Sequence, residues 1–376
     1  ASLSNSRSQG YRWVNTLNYE VQGLGEDHSL SFLLGHEMSN SESFSSKIEG
    51  AGYGDTFDMD RVFGMIHMTD ASLNMDKFSS NIGVSDNSVS GFARANYSYK
   101  GKYLLTATFR ADGSSKFAPN NRWGFFPAAA AAWRISDEAF MEDANEWLSN
   151  LKLRLSYGKS GNEAIGVYQT MVKLDTYKFA MGGKSVVGLL PNSRMGNDDL
   201  SWETTKTFNV GVDFGFLNNR INGNLDVYTS RTTDLLLQRN LPKISGYSNV
   251  YANMGETKNF GVELTVNTKN IVTKDFTWGS SLVWSWNKNE IVDLYGDGKD
   301  DLGNRWFIGE PIGVIYDYDM IGIWQEDEIA AGKHKDWDPT AEAGDVKLVD
   351  RNGDKKIDAD DKYVKGQTTP KWIGGL

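Results

Sequence analysis

Apolar and polar residues alternate along this chain in stretches of about ten residues, the length of a membrane-spanning strand. Tyr11, Trp13, Leu17, Tyr19 and Val21 fall on one side of an extended segment, and Arg12, Thr16, Asn18, Glu20 and Gln22 on the other. Successive strand residues point to opposite faces, so such a stretch predicts a strand with one apolar and one polar face. The pattern returns at Leu30–Met38, at Val89–Tyr99, at Tyr103–Arg110 and at Phe125–Ile135. It returns again at Leu151–Tyr157, Phe208–Phe216, Ile221–Tyr228, Phe260–Val266 and Phe276–Asn287. The run Ala128–Ala132 alone suggests helix, but its flanking Phe, Trp and Pro favour strand. A short helix is expected within 136–149, capped by Ser136 or Asp137.

The connectors sort by parity. Long ones begin near residues 39, 112, 161, 233 and 288, and shorter ones near 24, 100, 136, 218 and 268. Lys100-Gly101-Lys102 and Asn218-Asn219-Arg220 carry tight-turn chemistry. Tight turns at one rim and large loops at the other are how an up-and-down barrel reads. The expected fold is all-β, an antiparallel transmembrane β-barrel portion of about ten strands. One barrel portion is expected over 1–376, with long loops at about 39–87, 161–200, 233–254 and 288–369. Pro370-Lys371-Trp372-Ile373 reads as a further strand beginning.

Composition narrows this only in places. Hydrophobic residues make up 39% of the 376, and no stretch offers the unbroken apolar run of a spanning helix. A net charge of −10 argues against nucleic acid as a partner, because phosphate binding wants a basic face. Cysteine is absent, which removes disulfides and thiolate metal sites. The 12 Trp and 16 Tyr suit interfacial girdles or a sugar- or peptide-binding surface. Residue 1 is Ala and no signal-peptide pattern follows, so a mature or truncated chain is expected.

The best local chemistry is an acidic loop. Asp350, Asn352, Asp354, Lys356, Asp358 and Asp361 stand at positions 1, 3, 5, 7, 9 and 12 of a calcium-loop pattern, with Lys356 offering its backbone carbonyl. Gly353 falls at position 4 instead of 6, and Asp361 replaces the usual Glu, so the spacing is nearer the shorter dockerin-type loops. Calcium is expected there in a structural role. No catalytic motif survives inspection. Ser156-Tyr-Gly-Lys159 sits on a strand, not at a helix start, and Ser85-Asp86-Asn87 precedes it in the wrong order for a β-lactamase. His28, His36, His67 and His334 lack zinc spacing. Loop aromatics are the candidate ligand surface: Tyr53, Phe57, Tyr177, Phe179, Tyr247, Tyr251, Trp306, Phe307, Tyr316, Tyr318 and Trp324.

Several phrases resemble the SusC/RagA-like family of TonB-dependent outer-membrane transporters. They are Arg110-Ala-Asp-Gly-Ser-Ser-Lys-Phe117, Asn121-Arg-Trp-Gly-Phe-Phe-Pro127, Trp133-Arg-Ile-Ser136 and Leu155-Ser-Tyr-Gly158 with Gly161-Asn162. Trp202-Glu-Thr-Thr-Lys206, Gly309-Glu-Pro-Ile-Gly313, Gly322-Ile-Trp-Gln325 and Gly344-Asp-Val-Lys347 continue the series in family order. The resemblance implies part of a 22-stranded plugged barrel in a Gram-negative outer membrane. It implies import of oligosaccharides or peptides under a SusD-like lipoprotein lid, powered by the TonB complex. No plug, TonB-contact segment or final strands are found within these residues. Ten strands of a larger barrel leave two open edges, so this stretch alone is not expected to insert. Two rival readings are a secreted β-rich polysaccharide-binding module and an outer-membrane hydrolase.

Overall fold

A computed structural model describes residues 2–49, 78–336 and 338–376. The main strands of its first part are β1 (Ser2–Glu20), β2 (His28–Glu49), β3 (Phe78–Tyr99), β4 (Tyr103–Ser114), β5 (Trp123–Arg134) and β6 (Leu148–Asn162). A long excursion follows, holding β7 (Leu174–Met181), β8 (Lys184–Pro191) and β9 (Arg194–Met195). Then come β10 (Glu203–Phe216), β11 (Ile221–Thr233), the short β12 (Leu236–Asn240) and β13 (Asn249–Asn253), β14 (Glu256–Val272) and β15 (Thr277–Asp293). The last excursion carries β16 (Val314–Asp317), β17 (Met320–Ile323), a five-residue α1 (Glu326–Ala330), β18 (Val346–Leu348) and β19 (Tyr363–Gln367), and β20 (Trp372–Gly375) closes the series. The chain is all-β, with an eleven-stranded sheet in the order β1-β2-β3-β4-β5-β6-β10-β11-β14-β15-β20.

The chain falls into two compact units, residues 1–222 with 232–254, and residues 223–231 with 255–376. In the first, the antiparallel register puts like with like. Tyr19 pairs with Phe32, Phe32 with Ala95, Ala95 with Ala107, Ala107 with Ala129, Ala129 with Tyr157 and Tyr157 with Phe208. Directly paired residues share a face, so this row is one continuous apolar stripe. Leu34, Leu105, Phe109, Leu155 and Phe208 are large, apolar and exposed on it. A soluble protein would bury such a surface; here it is the side that meets lipid.

Aromatic rings bound the stripe at both ends. Toward the short turns, Tyr99 stacks on Tyr103 at 6.2 Å and Tyr103 on Trp133 at 6.4 Å. Toward the long loops, Phe109 stacks on Phe125 at 6.2 Å, and Gly113 pairs with Trp123. Residues 103 to 113 cover about 33 Å along the strand, or about 25 Å across a bilayer at a tilt near 40°. That is the height of an outer-membrane belt. The second unit repeats the pattern: Leu264 pairs with Trp284 and Val262 with Trp286, and Trp286 with Trp372.

The connectors alternate short and long as the sequence predicts except at one pair: the connector between β4 and β5, residues 115–122, is shorter than the link between β5 and β6, residues 135–147. Lys100 and Gly101 turn at φ +52° and +66°, and Leu217, Asn218 and Asn219 turn at +55° to +57°. Asn tolerates that left-handed region. Two expectations need correction. The loop expected at 39–87 is strand at both of its described ends, because β2 runs on to Glu49 and β3 begins at Phe78; residues 50–77 lie outside the described residues. The helix expected within 136–149 is a pair of 3₁₀ segments, Ile135–Asp137 and Ala139–Ala144, whose N-caps are Arg134 and Glu138 with no side-chain cap bond. The segment has no helical apolar periodicity to lengthen it.

Candidate functional site

The face opposite the apolar stripe is polar and carries ordered charge. Ser90 pairs with Glu37 and with Asp112 across the sheet, so the three side chains share that face. Arg110 Nε donates to both oxygens of Asp112 at 2.7 and 2.9 Å, its Nη2 donates to Ser90 Oγ at 3.0 Å, and Ser90 Oγ donates to Asp112. Arg12 Nε donates to Glu37 Oε1 at 2.5 Å, and Arg110 Nη2 lies 3.9 Å from Glu37 Oε2. Glu37 thus stands between two guanidinium groups. Beside this cluster lies a groove of about 390 Å³ lined by Thr106, Thr108, Ala128, Ala130, Ser156 and Thr207, among others. Short hydroxyls and methyls make up most of the wall, with Tyr157 and Lys159 also lining it, and together they offer donors and acceptors for a polar solute.

The phrases that carry the family resemblance build the rim above this wall. Asp112 anchors Arg110, Ser115 Oγ accepts from Asn87 N at 2.9 Å, and Lys116 Nζ pairs with Asp86 at 3.4 Å and Glu163 at 3.7 Å. Phe117 then enters a buried cluster with Ile165 and Leu200, against which Trp202, Leu236 and Tyr251 pack. Trp202 Nε1 donates to Arg122 O at 2.9 Å, and its ring meets Phe126 edge-on at 5.4 Å. A Cβ on Gly124 or Gly161 would collide with the Phe126 ring. Three long connectors are therefore pinned to one knot. In the sequence, Phe117 and Trp202 stand within the family phrases and Tyr251 among the loop aromatics, while Ile165, Leu200 and Leu236 left no signal of their own.

The candidate aromatics scatter into different roles. Tyr53 and Phe57 lie outside the described residues. Tyr177 and Phe179 are exposed on β7. Tyr247 is half-buried in its loop, and Tyr251 packs on the Phe117 cluster. In the second unit Trp306 is half-buried and bridges backbone to Asp301, Tyr316 meets Phe307 at 4.7 Å, and Tyr318 lies under Lys362 Nζ at 4.7 Å. Two expectations fail here. Trp324 is 1% exposed and Phe307 is buried, so both fill the interior of their loop and offer no ring to a ligand. Lys347 Nζ sits 4.3 Å over the Trp324 ring, and His334 meets it edge-on at 6.2 Å. Spacing alone could not separate a packed loop ring from an open one.

The acidic loop folds on itself. Asp350 accepts from Gly353 N and Lys355 N, both at 2.8 Å, and Asn352 Oδ1 accepts from Asp354 N at 2.9 Å. Asp354 Oδ1 accepts from Lys356 N at 2.9 Å, and Lys356 Nζ reaches Asp358 at 2.6 Å. Asp361 is buried, and its carboxylate accepts from Arg351 N at 2.8 Å and Asp358 N at 2.9 Å. These N–H donors, Asp358 first, hold the Asp361 carboxyl below the usual range. Among the described residues no three acids or histidines converge as a metal centre. The oxygens face backbone N–H groups, so metal binding would require several of them to turn.

Comparison with known proteins fits this architecture. The family model described as TonB dependent receptor-like, beta-barrel matches residues 2–368. TonB-dependent receptor P26 of Formosa agariphila is 35% identical, with 100% of this chain and 38% of that protein covered. TonB-dependent receptor SusC of Bacteroides thetaiotaomicron is 37% identical, with 77% and 29% covered. Among solved structures, the RagAB peptide transporter superposes with a TM-score of 0.79 at 26% identity, covering 100% of this chain and 40% of that one. The chain therefore spans about two fifths of the P26 and RagAB chains it matches.

Proposed function

The chain belongs to the TonB-dependent receptor β-barrel family, of SusC/RagA type, and on that premise we propose that it forms part of the wall and outer loops of a nutrient importer. Its place is the outer membrane, and the family transports instead of catalysing bond chemistry. The solute is an oligosaccharide or a peptide, captured under a SusD-like surface lipoprotein and drawn inward by the TonB complex. The observation that carries this reading is the two-sided sheet: an apolar belt of bilayer height backs a polar face with a hydroxyl-lined groove. RagAB, the structural relative, is a peptide transporter. Among the aromatic candidates, Tyr177, Phe179, Tyr247, Trp306, Tyr316 and Tyr318 keep enough exposed or half-buried surface to meet solute or lid.

The belt and the groove are tested by one pair of variants in the full-length protein. Leu105→Arg puts charge in the lipid-facing belt and is expected to cost about 2–4 kcal/mol, read as loss of the heat-modifiable folded band. Thr106→Arg, one residue away on the polar face, is expected to insert normally and to slow uptake of labelled peptide or oligosaccharide. Equal tolerance of the two, or uptake that ignores Thr106→Arg, would defeat the proposal.

The acidic loop is proposed to take calcium structurally, on the order of its oxygen-bearing residues. Calcium would displace internal hydrogen bonds, so modest affinity is expected. A calcium-dependent rise in protease resistance of the 350–361 segment, lost in Asp354→Ala, supports it; indifference to calcium removes it.

A further inference from the structure

The groove on the polar face carries more side-chain donors than acceptors. Thr106, Thr108, Ser156, Ser160, Thr207 and Lys159 are among its lining residues, and no carboxylate lines it. Thr106 donates to Asn96 at 3.1 Å, and Thr108 accepts from Arg94 Nε at 3.2 Å, which leaves its own O–H free. Among the described residues the hydroxyls of Ser156, Ser160 and Thr207 have no hydrogen-bond partner. The register sets Arg94, Thr108, Ala128 and Gly158 in one row across the groove, with Lys159 next to its far end. Lys159 Nζ meets only the Phe126 ring, at 6.0 Å, and neither Lys159 nor Arg94 has a carboxylate partner among the described residues.

The acids nearby are already taken. Glu37 stands between Arg12 and Arg110, Asp112 holds Arg110 and Ser90, and Asp213 takes Lys152 at 3.4 Å and Arg154 at 2.9 Å. In a chain of net charge −10 this part of the wall is locally basic. Every strand that lines the groove is paired on both sides, so the wall is complete within this sheet.

We propose that the groove is a transit subsite for a solute that carries carboxylates. The proposal rests on the import reading above and narrows the solute to an acidic oligomer. A carboxylate is acceptor-only, so it answers an ammonium and a set of free hydroxyl donors without adding a donor of its own. It is also the anion that both solute classes can carry, as an acidic side chain of a peptide or a uronic acid of a glycan. Lys159 and Arg94 stand three strands apart, about 14 Å at the usual strand spacing. One carboxylate does not span that distance; successive acidic units of an extended solute do. Like charges along a low-dielectric wall raise the local concentration of a solute of opposite sign. The Lys159 ammonium, a point charge on a flexible stem, can follow such a solute as it passes.

The test is uptake by cells carrying the full-length transporter and its surface lipoprotein. Matched labelled peptides, glutamate-rich and glutamine-rich, are set beside oligogalacturonate and oligogalactose. At least one acidic member is expected to enter about tenfold faster than its neutral match, with the advantage shrinking as salt is raised. Lys159→Gln with Arg94→Gln is expected to remove the advantage, and Lys159→Arg with Arg94→Lys to keep most of it. Lys184→Gln, on the exposed β7–β8 hairpin, is expected to leave it intact. The salt response is read on the unmodified protein and stands even if the double variant folds poorly. Acidic and neutral solutes entering alike, or an acidic advantage that survives the double Gln variant, would overturn the proposal and leave the import reading standing. Loss of the heat-modifiable folded band in Lys159→Gln, with selectivity unchanged, would assign Lys159 to a carboxylate elsewhere in the full-length protein and overturn it as well. Entry of none of these solutes would remove the import reading, and this subsite with it.

Discussion

Two long connectors of this chain solve the same problem in opposite ways. Residues 294–371 enclose their own interior: Trp324, Phe307, Val314 and Ala341 are buried, and Asp361 closes a side loop from within. Residues 163–202 bury Ile165 and Leu200 at their base and then send out a hairpin with almost nothing covered. Both are rich in apolar residues, so composition does not distinguish them. The difference lies in where each side chain finds neighbours. A connector with an interior holds its shape by itself; one without an interior has only its own turn and ladder to hold it.

The strongest way to break this contrast is Trp324→Ala. The indole is enclosed by Lys347 and His334, and its backbone bonds to Asp345 O and from Gly344 N, both at 2.9 Å. Removing a ring this buried costs about 3–5 kcal/mol. Limited proteolysis is expected to cut within 294–371 in the variant and to leave the sheet strands intact. A connector that stays resistant has no interior worth the name.

Acid gives the next effect. The Asp361 carboxyl is held below its ordinary value by the N–H groups of Asp358, Arg351 and Asn352. A carboxyl with a lowered folded-state value stabilises above its unfolded value near 4, and that contribution is lost as pH falls through the folded value. The 350–361 segment should therefore keep its protease resistance from neutral pH to about 5 and lose it below about 4. Asp361→Asn replaces one acceptor oxygen with a donor that faces an N–H, at a cost of about 1–3 kcal/mol. It should lower resistance at neutral pH and flatten the acid response. Unchanged acid response in Asp361→Asn would assign the effect to another group.

How much of this was legible in the sequence follows from the same physics. The belt strands were legible because lipid on one side and water on the other force a period of two, as at Tyr103–Arg110. The outer ends of β1 and β2 were not, because Ser4, Asn5, Ser6 and Gln9 face Lys47, Ser46, Ser45 and Glu42. Strand above the bilayer is wet on both sides and needs no apolar face. The β7–β8 hairpin left a usable signal, two apolar runs around Gly182-Gly183. The ligand candidates were legible as residue types only. Burial of Trp324 and exposure of Tyr177 depend on neighbours far away in sequence, and spacing does not encode them.

The smallest effect sharpens the comparison most. Leu189→Asp sits on an exposed strand face, so in the transporter alone it removes almost no packing. Surface changes of that kind stay within about 0.5 kcal/mol. Thermal unfolding and heat-modifiable mobility should match the unmodified protein, and binding of a hydrophobic dye should fall as the patch gains charge. The same substitution at Trp324 would be ruinous, since a buried unpaired carboxylate costs several kcal/mol. Apolar side chains of similar appeal in the sequence thus split by a factor of several in free energy. If Leu189→Asp proved as costly as Trp324→Ala, the hairpin would have an interior in solution, and the contrast between the two connectors would be lost.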